Sequence, residues 1–202
     1  MQPRPEPDPV SERLQLWLES EERTLGGLVA LFGKKGFAVL FVVLLGVPAL
    51  PLPTGGATHV FELIAMLLAL ELISGRERIW LPQRWRRLEL DGARRQRLIS
   101  ALIRMIARLE RFSRPRLRFL FNHRLSNVAF GLLVLLGSAG AFLAPPFTGL
   151  DTLPSLGVVL LSLGVLLEDI AIVALALAVG AAGIFIELVL GRAAIGGLEK
   201  LL

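Results

Sequence analysis

Long runs without a charged side chain constrain this 202-residue chain more than any other feature. They cover residues 36–58, 125–150, 152–167 and 170–186. Such runs are typical of helices in a bilayer, because a helix satisfies its main-chain polar groups internally. The composition agrees, with 54% hydrophobic residues, 19% charged residues and a mean hydropathy of +0.66. We therefore predict an all-α, polytopic integral membrane protein.

The stretch 36–74 predicts two helices that are shorter than a full membrane span. Apolar runs of about 15 to 18 residues measure roughly 23–27 Å, less than the ~30 Å hydrocarbon core. Pro48, Pro51 and Pro53 separate the two runs. The pair is therefore either a tight spanning hairpin or a re-entrant one.

A shift of 94 positions aligns part of the chain with itself. The pattern Pro51-x-x-Thr54-Gly55-x-x-Thr58 falls on Pro145-x-x-Thr148-Gly149-x-x-Thr152, and each copy lies between two apolar helices. This predicts two helix–loop–helix repeats, over 36–74 and 127–168. Repeats with short helices are a recurring plan of secondary transporters, where hydroxyls and freed main-chain groups line a site. The alternative is that proline and glycine end one helix while threonine caps the next.

Basic residues are concentrated between the two predicted repeats, in the segment 75–124. Its 15 arginines and four acids give a net charge of +11, whereas the rest of the chain carries 7 basic and 13 acidic residues. The positive-inside rule places this segment in the cytoplasm. Arg104 and Arg108 interrupt its apolar stripe, so we expect an interfacial helix that contacts anionic lipid. No nucleic-acid-binding module is recognisable, and nucleic acid is not an expected partner.

The chain termini are predicted to lie outside the apolar blocks. Residues 1–10 alternate proline with polar residues, which favours a disordered tail. Apolar residues recur at helical spacing over 11–33 and predict an amphipathic helix, and 192–202 is a C-terminal tail. With the arginine segment in the cytoplasm, we expect a cytoplasmic N-terminus. If the hairpins span, both threonine loops face the opposite side and the repeats are parallel, whereas inverted repeats would require the 96–112 helix to span despite Arg104 and Arg108.

A final hydrophobic helix is predicted over 170–191. Small side chains that let neighbouring backbones approach closely recur at four-residue spacing, at Ala174, Ala178 and Ala182. A complete span would leave Arg192 and Lys200 on the outer side. We therefore expect this helix to be kinked at Gly180 and Gly183, or to be re-entrant.

Polar residues within the apolar blocks are the candidate functional residues, because an ionisable group at membrane depth costs free energy that something must offset. His59 and Glu62 share one helix face and predict a pair beside the first threonine loop. The alternative is that both are solvated at the outer interface. The predicted solute path consists of Thr54, Gly55, Thr58, His59, Glu62, Thr148, Gly149, Asp151 and Thr152.

A second group of charged residues is predicted to form ion pairs or to contact partners. Glu71 lies near the cytoplasmic end of its helix, where Arg76 or Arg78 can pair with it. Glu168 and Asp169 separate two apolar helices and are expected to contact the arginine segment. The group comprises Glu71, Arg76, Arg78, Arg94, Arg95, Arg97, Glu168 and Asp169.

Residue content argues against several kinds of site. The chain has no cysteine, and its two histidines, His59 and His123, are predicted on different sides of the membrane. A disulfide scaffold, a metal site and a serine–histidine dyad are therefore not expected, and no cofactor is predicted.

An enzyme acting on a lipid-linked sugar would need the carboxylates of Glu62, Asp151 and Glu187 to converge. We expect a protein that is not an enzyme.

Short motifs occur along the chain in a defined order. They are Thr24-Leu25-Gly26, Gly33-x-x-Gly36-Phe37, Val47-Pro48 to Thr54-Gly55, Gly75-Arg76 leading to Trp80-Leu81-Pro82, Arg114-Pro115-Arg116 and Glu168-Asp169. In order and spacing they resemble the ExoD family of bacterial exopolysaccharide synthesis proteins. The resemblance covers about residues 11–190. It implies a protein of the bacterial cytoplasmic (inner) membrane that is linked to exopolysaccharide production, and it supplies no reaction.

Two functions are compatible with these features. In the first, a homodimeric multi-pass membrane protein transports or gates a small solute or ion along the predicted path. In the second, a non-transporting scaffold binds anionic lipid or polysaccharide-assembly proteins through the arginine segment. Substitutions in the path would disable the first, whereas neutralising Arg94, Arg95 and Arg97 would disable the second.

Overall fold

The computed structural model describes residues 9–19, 24–50, 58–75, 124–144 and 148–199, with shorter pieces at 79, 83, 100, 103–104, 106–111 and 113. For 191–199 only the backbone is described. All regular elements in these ranges are helices, in agreement with the predicted all-α class. They are α1 (Val10–Glu19), α2 (Leu25–Phe32), a 3-10 turn (Gly33–Lys35), α3 (Gly36–Leu45), α4 (His59–Ile73), α5 (Arg124–Leu143), α6 (Thr152–Leu167) and α7 (Ile170–Glu199).

Helix α3 forms the centre of the bundle. Nearly all of its side chains are buried, and it packs against α2, α4 and α6. Phe41 is fully buried and meets the ring of Phe130 on α5 edge-on, with centroids 5.7 Å apart. A helix that is apolar on every side is stable only where it is surrounded, which explains why this short segment occupies the core.

The α6–α7 contact depends on glycines. A Cβ atom placed on Gly157 would come within 2.6 Å of the Gly180 Cα atom, and one on Gly164 within 2.9 Å of the Val173 nitrogen. Because no side chain intervenes, the two backbones approach closely. The sequence expectation differs here, since Ala174, Ala178 and Ala182 are exposed on the outer face of α7.

Helix α7 is continuous from Ile170 to Glu199. The helix is therefore not interrupted at Gly180 or Gly183, where a kink was one of the two expectations. Gly183 instead gives room to α6, because a Cβ atom there would lie 2.8 Å from Pro154. The backbone of 192–199, within the predicted C-terminal tail, continues the helix.

The predicted amphipathic helix over 11–33 is divided into α1 and α2. Leu14 and Trp17 are the buried residues of α1. Thr24 caps α2, since its Oγ1 atom accepts a hydrogen bond from the Gly27 nitrogen at 3.1 Å. Residues 1–8, in the predicted disordered tail, and 20–23 lie outside the described residues.

Within the described ranges, two helices are long and apolar enough to cross a membrane. They are Arg124–Leu143 in α5 and Ile170–Leu190 in α7, and only 11% of the second is buried. Large apolar side chains such as Leu175, Phe185 and Leu188 are exposed on α7. An apolar helix of this length, largely outside the core, has the character of a lipid-facing segment.

Candidate functional site

The hairpins α3–α4 and α5–α6 bring their loop sides together at one end of the bundle. Thr58 precedes α4 and Asp151 precedes α6, and Thr58 Oγ1 donates a hydrogen bond to Asp151 Oδ2 at 3.3 Å. Both α4 and α6 therefore begin at this end and run in the same direction. We call the region formed by Thr58, His59, Glu62, Asp151 and Glu187 the loop end.

His59 and Glu62 form a close pair at the loop end. His59 Nδ1 lies 2.8 Å from Glu62 Oε2, which the i, i+3 spacing within α4 makes possible. An ionised carboxylate can only accept, so in that state Nδ1 carries the proton. The His59 ring also packs against Phe142 of α5, with centroids 5.4 Å apart. Because Glu62 is 0% exposed, the structure differs from the alternative in which both residues are solvated.

The second carboxylate oxygen of Glu62 is the most unusual atom at the loop end. Glu62 Oε1 is buried and has no hydrogen-bond partner among the described residues. A buried polar atom without a partner loses the free energy of its hydration, and the loss is larger for a charged group. Such an atom in a folded protein calls for a proton, a water molecule or a bound ion.

Glu187, on α7, is a third acidic residue of the loop end. Its carboxylate interacts electrostatically with those of Asp151 and Glu62. It also faces α5, because a Cβ atom on Gly140 would lie 3.8 Å from Glu187 Oε2. Three acids far apart in sequence are thus brought within electrostatic range. In the described part of the chain no three His, Cys, Asp or Glu side chains are arranged to hold a metal ion.

Two buried serines near this region were missed by the sequence analysis. Ser138 of α5 and Ser155 of α6 are fully buried, and neither hydroxyl has a hydrogen-bond partner among the residues described. Ser162, two turns beyond Ser155 on α6, is equally buried but donates to the Val158 carbonyl at 2.8 Å. Their position within apolar runs could have marked these serines as candidates. The sequence alone, however, does not show whether a serine hydroxyl has a hydrogen-bond partner in the folded protein.

The remaining residues of the predicted solute path have other surroundings. Thr148 is exposed and its Oγ1 accepts a hydrogen bond from the Leu150 nitrogen at 3.3 Å. Gly149 has a φ of +69°, which glycine adopts readily, and Thr152 begins α6. These residues shape the turn that positions Asp151. Thr54 and Gly55 lie outside the described residues.

The opposite end of the bundle contains an ion pair and a helix cap formed by acidic side chains. Lys35 Nζ lies 2.9 Å from Glu168 Oε1 and donates to the Leu166 carbonyl at 2.9 Å. Asp169 is buried, and its Oδ1 atom accepts a hydrogen bond from the Ala171 nitrogen at 2.8 Å, which caps α7. Arg124 also lies here, against Gly75. We call the region of Lys35, Arg124, Glu168 and Asp169 the basic end.

The predicted contacts of the second charged group are only partly visible. Glu168 is paired with Lys35, a residue of the 3-10 turn before α3 that the sequence analysis did not single out. Glu71 is half-buried near the end of α4. The other predicted members, Arg76, Arg78, Arg94, Arg95 and Arg97, lie outside the described residues.

An apolar groove lies between α5, α6 and α7. It encloses about 150 Å³ and is lined by side chains such as Leu133, Leu161 and Ile184. The groove lacks the polar lining that a path for a charged solute requires. The polar atoms are found instead at the loop end.

Comparison with known proteins identifies the family of the chain. The family model described as "Exopolysaccharide synthesis, ExoD" matches residues 10–189. The chain belongs to the ExoD family. Membership of the ExoD family implies involvement in exopolysaccharide synthesis, and together with two candidate spans it indicates a membrane protein. Every residue of the loop end lies within the matched range.

Two curated proteins are similar to the chain in sequence. An uncharacterized protein of Synechocystis sp. is 28% identical over 164 residues, which cover 79% of this chain and 76% of the relative. Protein ExoD of Rhizobium meliloti is 31% identical over 150 residues, which cover 72% of this chain and 61% of that protein. The match with this second relative therefore spans less than two thirds of its length. No solved structure matches the chain.

Proposed function

We propose that this ExoD-family chain is a multi-pass protein of the bacterial cytoplasmic membrane that transports or gates a small ion in support of exopolysaccharide synthesis. The ion passes through the loop end. The single observation that carries the proposal is Glu62, whose buried carboxylate has one oxygen without a hydrogen-bond partner among the described residues, where the two hairpins meet. Ionisable groups buried at membrane depth mark ion pathways because their burial is otherwise costly.

The distribution of charge supports an orientation for the protein. Lys35 and Arg124 lie at the basic end, and the arginine segment 75–124 connects α4 to α5 at that end. The positive-inside rule then places the basic end in the cytoplasm and the loop end on the opposite side. Helices α5 and α7 cross the bilayer, and the short core helix α3 is shielded by its neighbours.

The sign of the charge favours a cation or a proton as the ion. Three acids, Glu62, Asp151 and Glu187, interact at the loop end. Clustered carboxylates raise the local concentration of cations and oppose anions, as rings of acids do in cation channels. A large sugar would need a wide polar cavity, whereas the described groove is apolar and small.

Ion flux into liposomes tests the proposal directly. The full chain is reconstituted with entrapped sodium-, potassium- and proton-sensitive dyes, and flux is compared between wild type and Glu62→Gln. The substitution keeps the shape but removes the charge, and we expect flux to fall about tenfold or more. Glu110→Gln is the matched control, because Glu110 is a half-buried carboxylate that binds the start of α1, outside the loop end. Equal flux in all three proteins, or none in wild type, would contradict the proposal.

Complementation connects flux to polysaccharide output. In a bacterium that lacks its own ExoD-family gene, Glu62→Gln should fail to restore exopolysaccharide at wild-type protein level, whereas Glu110→Gln should restore it. Full restoration by Glu62→Gln, with loss in a triple variant that neutralises Arg94, Arg95 and Arg97, would instead support the scaffold function.

A further inference from the structure

We infer that the loop end holds an alkali-metal cation, Na⁺ or K⁺, between Glu62 Oε1 and the hydroxyl oxygens of Ser138 and Ser155. The inference rests on the proposed function and names the chemical class of its ion. Its basis is that three fully buried oxygen atoms without hydrogen-bond partners among the described residues occupy one depth in α4, α5 and α6, of which α5 packs against both of the others. We call these three residues the oxygen layer.

The register of α4 against α5 places Glu62 beside Ser138. The two helices are antiparallel, with Gly131 against Ala69 at one point and Phe142 against His59 at another. Seven residues from the first contact, two helical turns along each helix, lead to Ser138 and Glu62. The second contact gives the same result. Ser138 lies four residues before Phe142 on α5, and Glu62 lies three residues after His59 on α4, which is about one turn along each helix. Both contacts therefore define the same layer.

The register of α6 adds Ser155 to this layer. Thr58 and Asp151 meet at the starts of α4 and α6, and both helices run away from that contact. Four residues onward, one turn deeper, lie Glu62 on α4 and Ser155 on α6. Since both side chains are fully buried, they lie inside the bundle rather than on its lipid-facing surface.

The chemistry of the oxygen layer fits a hard monovalent cation. Carboxylate and hydroxyl oxygens are ligands of hard cations, and the layer contains no nitrogen or sulfur ligand among the three residues. Only one of the three proposed ligands is a carboxylate, so the ligands themselves balance a single positive charge, whereas Ca²⁺ or Mg²⁺ would keep a net charge within this buried layer. A hydroxyl that binds a cation through its oxygen can still donate its proton to the carbonyl four residues earlier, as Ser162 does.

Binding of Na⁺ and K⁺ to the purified full chain in lipid nanodiscs tests the inference. Radiolabelled sodium is titrated at constant ionic strength with choline chloride, and KCl, MgCl₂ and CaCl₂ serve as competitors. We expect saturable binding that Ser138→Ala and Ser155→Ala each weaken about tenfold, since each removes one ligand oxygen. Ser162→Ala is the matched control on the same helix, because its hydroxyl already has a partner, and it should bind as wild type does.

A stability measurement separates loss of the site from misfolding. In choline chloride alone, Ser138→Ala and Ser155→Ala should unfold at the wild-type temperature or above it, because each removes a buried hydroxyl that has no partner among the described residues. Added Na⁺ or K⁺ should raise the unfolding temperature of wild type and Ser162→Ala more than that of either layer variant.

Three results would overturn the inference. They are the absence of saturable binding, equal affinity in wild type and both layer variants, and tighter binding of Mg²⁺ or Ca²⁺. Flux that depends on Glu62 but carries protons alone would refute the oxygen layer and leave the proposed function intact. Saturable cation binding without Glu62-dependent flux would support the layer and refute transport.

Discussion

The loop end and the basic end of the bundle use acidic residues in opposite ways. At the basic end, Glu168 pairs with Lys35 and Asp169 caps the backbone of α7. At the loop end, Glu62 is more deeply buried than Glu168, yet one of its oxygens has no partner among the described residues. The same helices connect both ends, so the difference lies in the side chains and not in the architecture.

This contrast separates structural acids from functional ones. A carboxylate with a cationic or main-chain partner stabilises the fold and has little capacity left for a ligand. A buried carboxylate with a free oxygen stores unfavourable free energy that a bound ion can recover. Functional sites commonly retain such unfavourable groups at some cost in stability.

The largest loss of stability is expected at the close contact between α6 and α7, because the loop end and the basic end both depend on the position of α6. Gly157→Ala would place a Cβ atom 2.6 Å from the Gly180 Cα atom, and backbone cannot yield as a side chain can. We expect a loss of about 2–3 kcal/mol in unfolding free energy, measured by thermal unfolding in detergent, with loss of flux as well. Helix α6 carries Ser155 near the loop end and contacts Lys35 at the basic end. A displaced α6 would therefore disturb both ends at once, and the difference between them would be lost.

Gly180→Ala provides the control from the same contact. Its Cβ atom would lie 3.7 Å from Gly157, an ordinary contact distance, and alanine favours a helix over glycine by up to about 1 kcal/mol. This variant should be neutral or slightly more stable. Equal damage from both substitutions would mean that the close α6–α7 approach is not what limits stability.

An intermediate effect should sharpen the contrast at the basic end. Lys35→Met removes the ion pair with Glu168 and the hydrogen bond to the Leu166 carbonyl. Because the pair is partly exposed, we expect a loss of only about 1 kcal/mol in unfolding free energy. Flux per folded molecule should stay at the wild-type level, and Lys35→Arg should recover part of the stability. A fall in flux similar to that of Glu62→Gln would end the functional distinction between the two ends.

The smallest effect on stability is expected at the contact between the two hairpins. Thr58→Val removes the 3.3 Å hydrogen bond to Asp151 while nearly conserving volume, at a cost of about 0.5–1 kcal/mol. Flux should fall about threefold, because Asp151 is then less well positioned at the loop end. Thr58→Ser keeps the hydroxyl and should retain most of the flux. If serine and valine behave alike, the hydrogen bond has no role in transport.

Features that depend on neighbours along the chain were available from the sequence. Charge-free runs predicted the helices, because a helix in an apolar setting needs only its own backbone to satisfy its polar groups. The spacing of His59 and Glu62 predicted that they share a face, since residues three apart are adjacent on any helix. The arginine-rich segment 75–124 was visible directly from the positions of the arginines along the chain.

Features that depend on which helix faces meet were decided by the tertiary structure. The spacing of the alanines in α7 predicted a close approach of neighbouring backbones at those residues. In the structure the backbones of α6 and α7 approach closely at Gly157 and Gly180 instead. It also brings Glu187 towards Glu62 and Asp151, and Ser155 to the depth of Glu62. Local spacing determines a residue's place on its own helix, but the distance between helices depends on how small and large side chains interdigitate along the whole interface. The sequence by itself therefore determined the helices and the His59–Glu62 face, and only packing assembled the loop end.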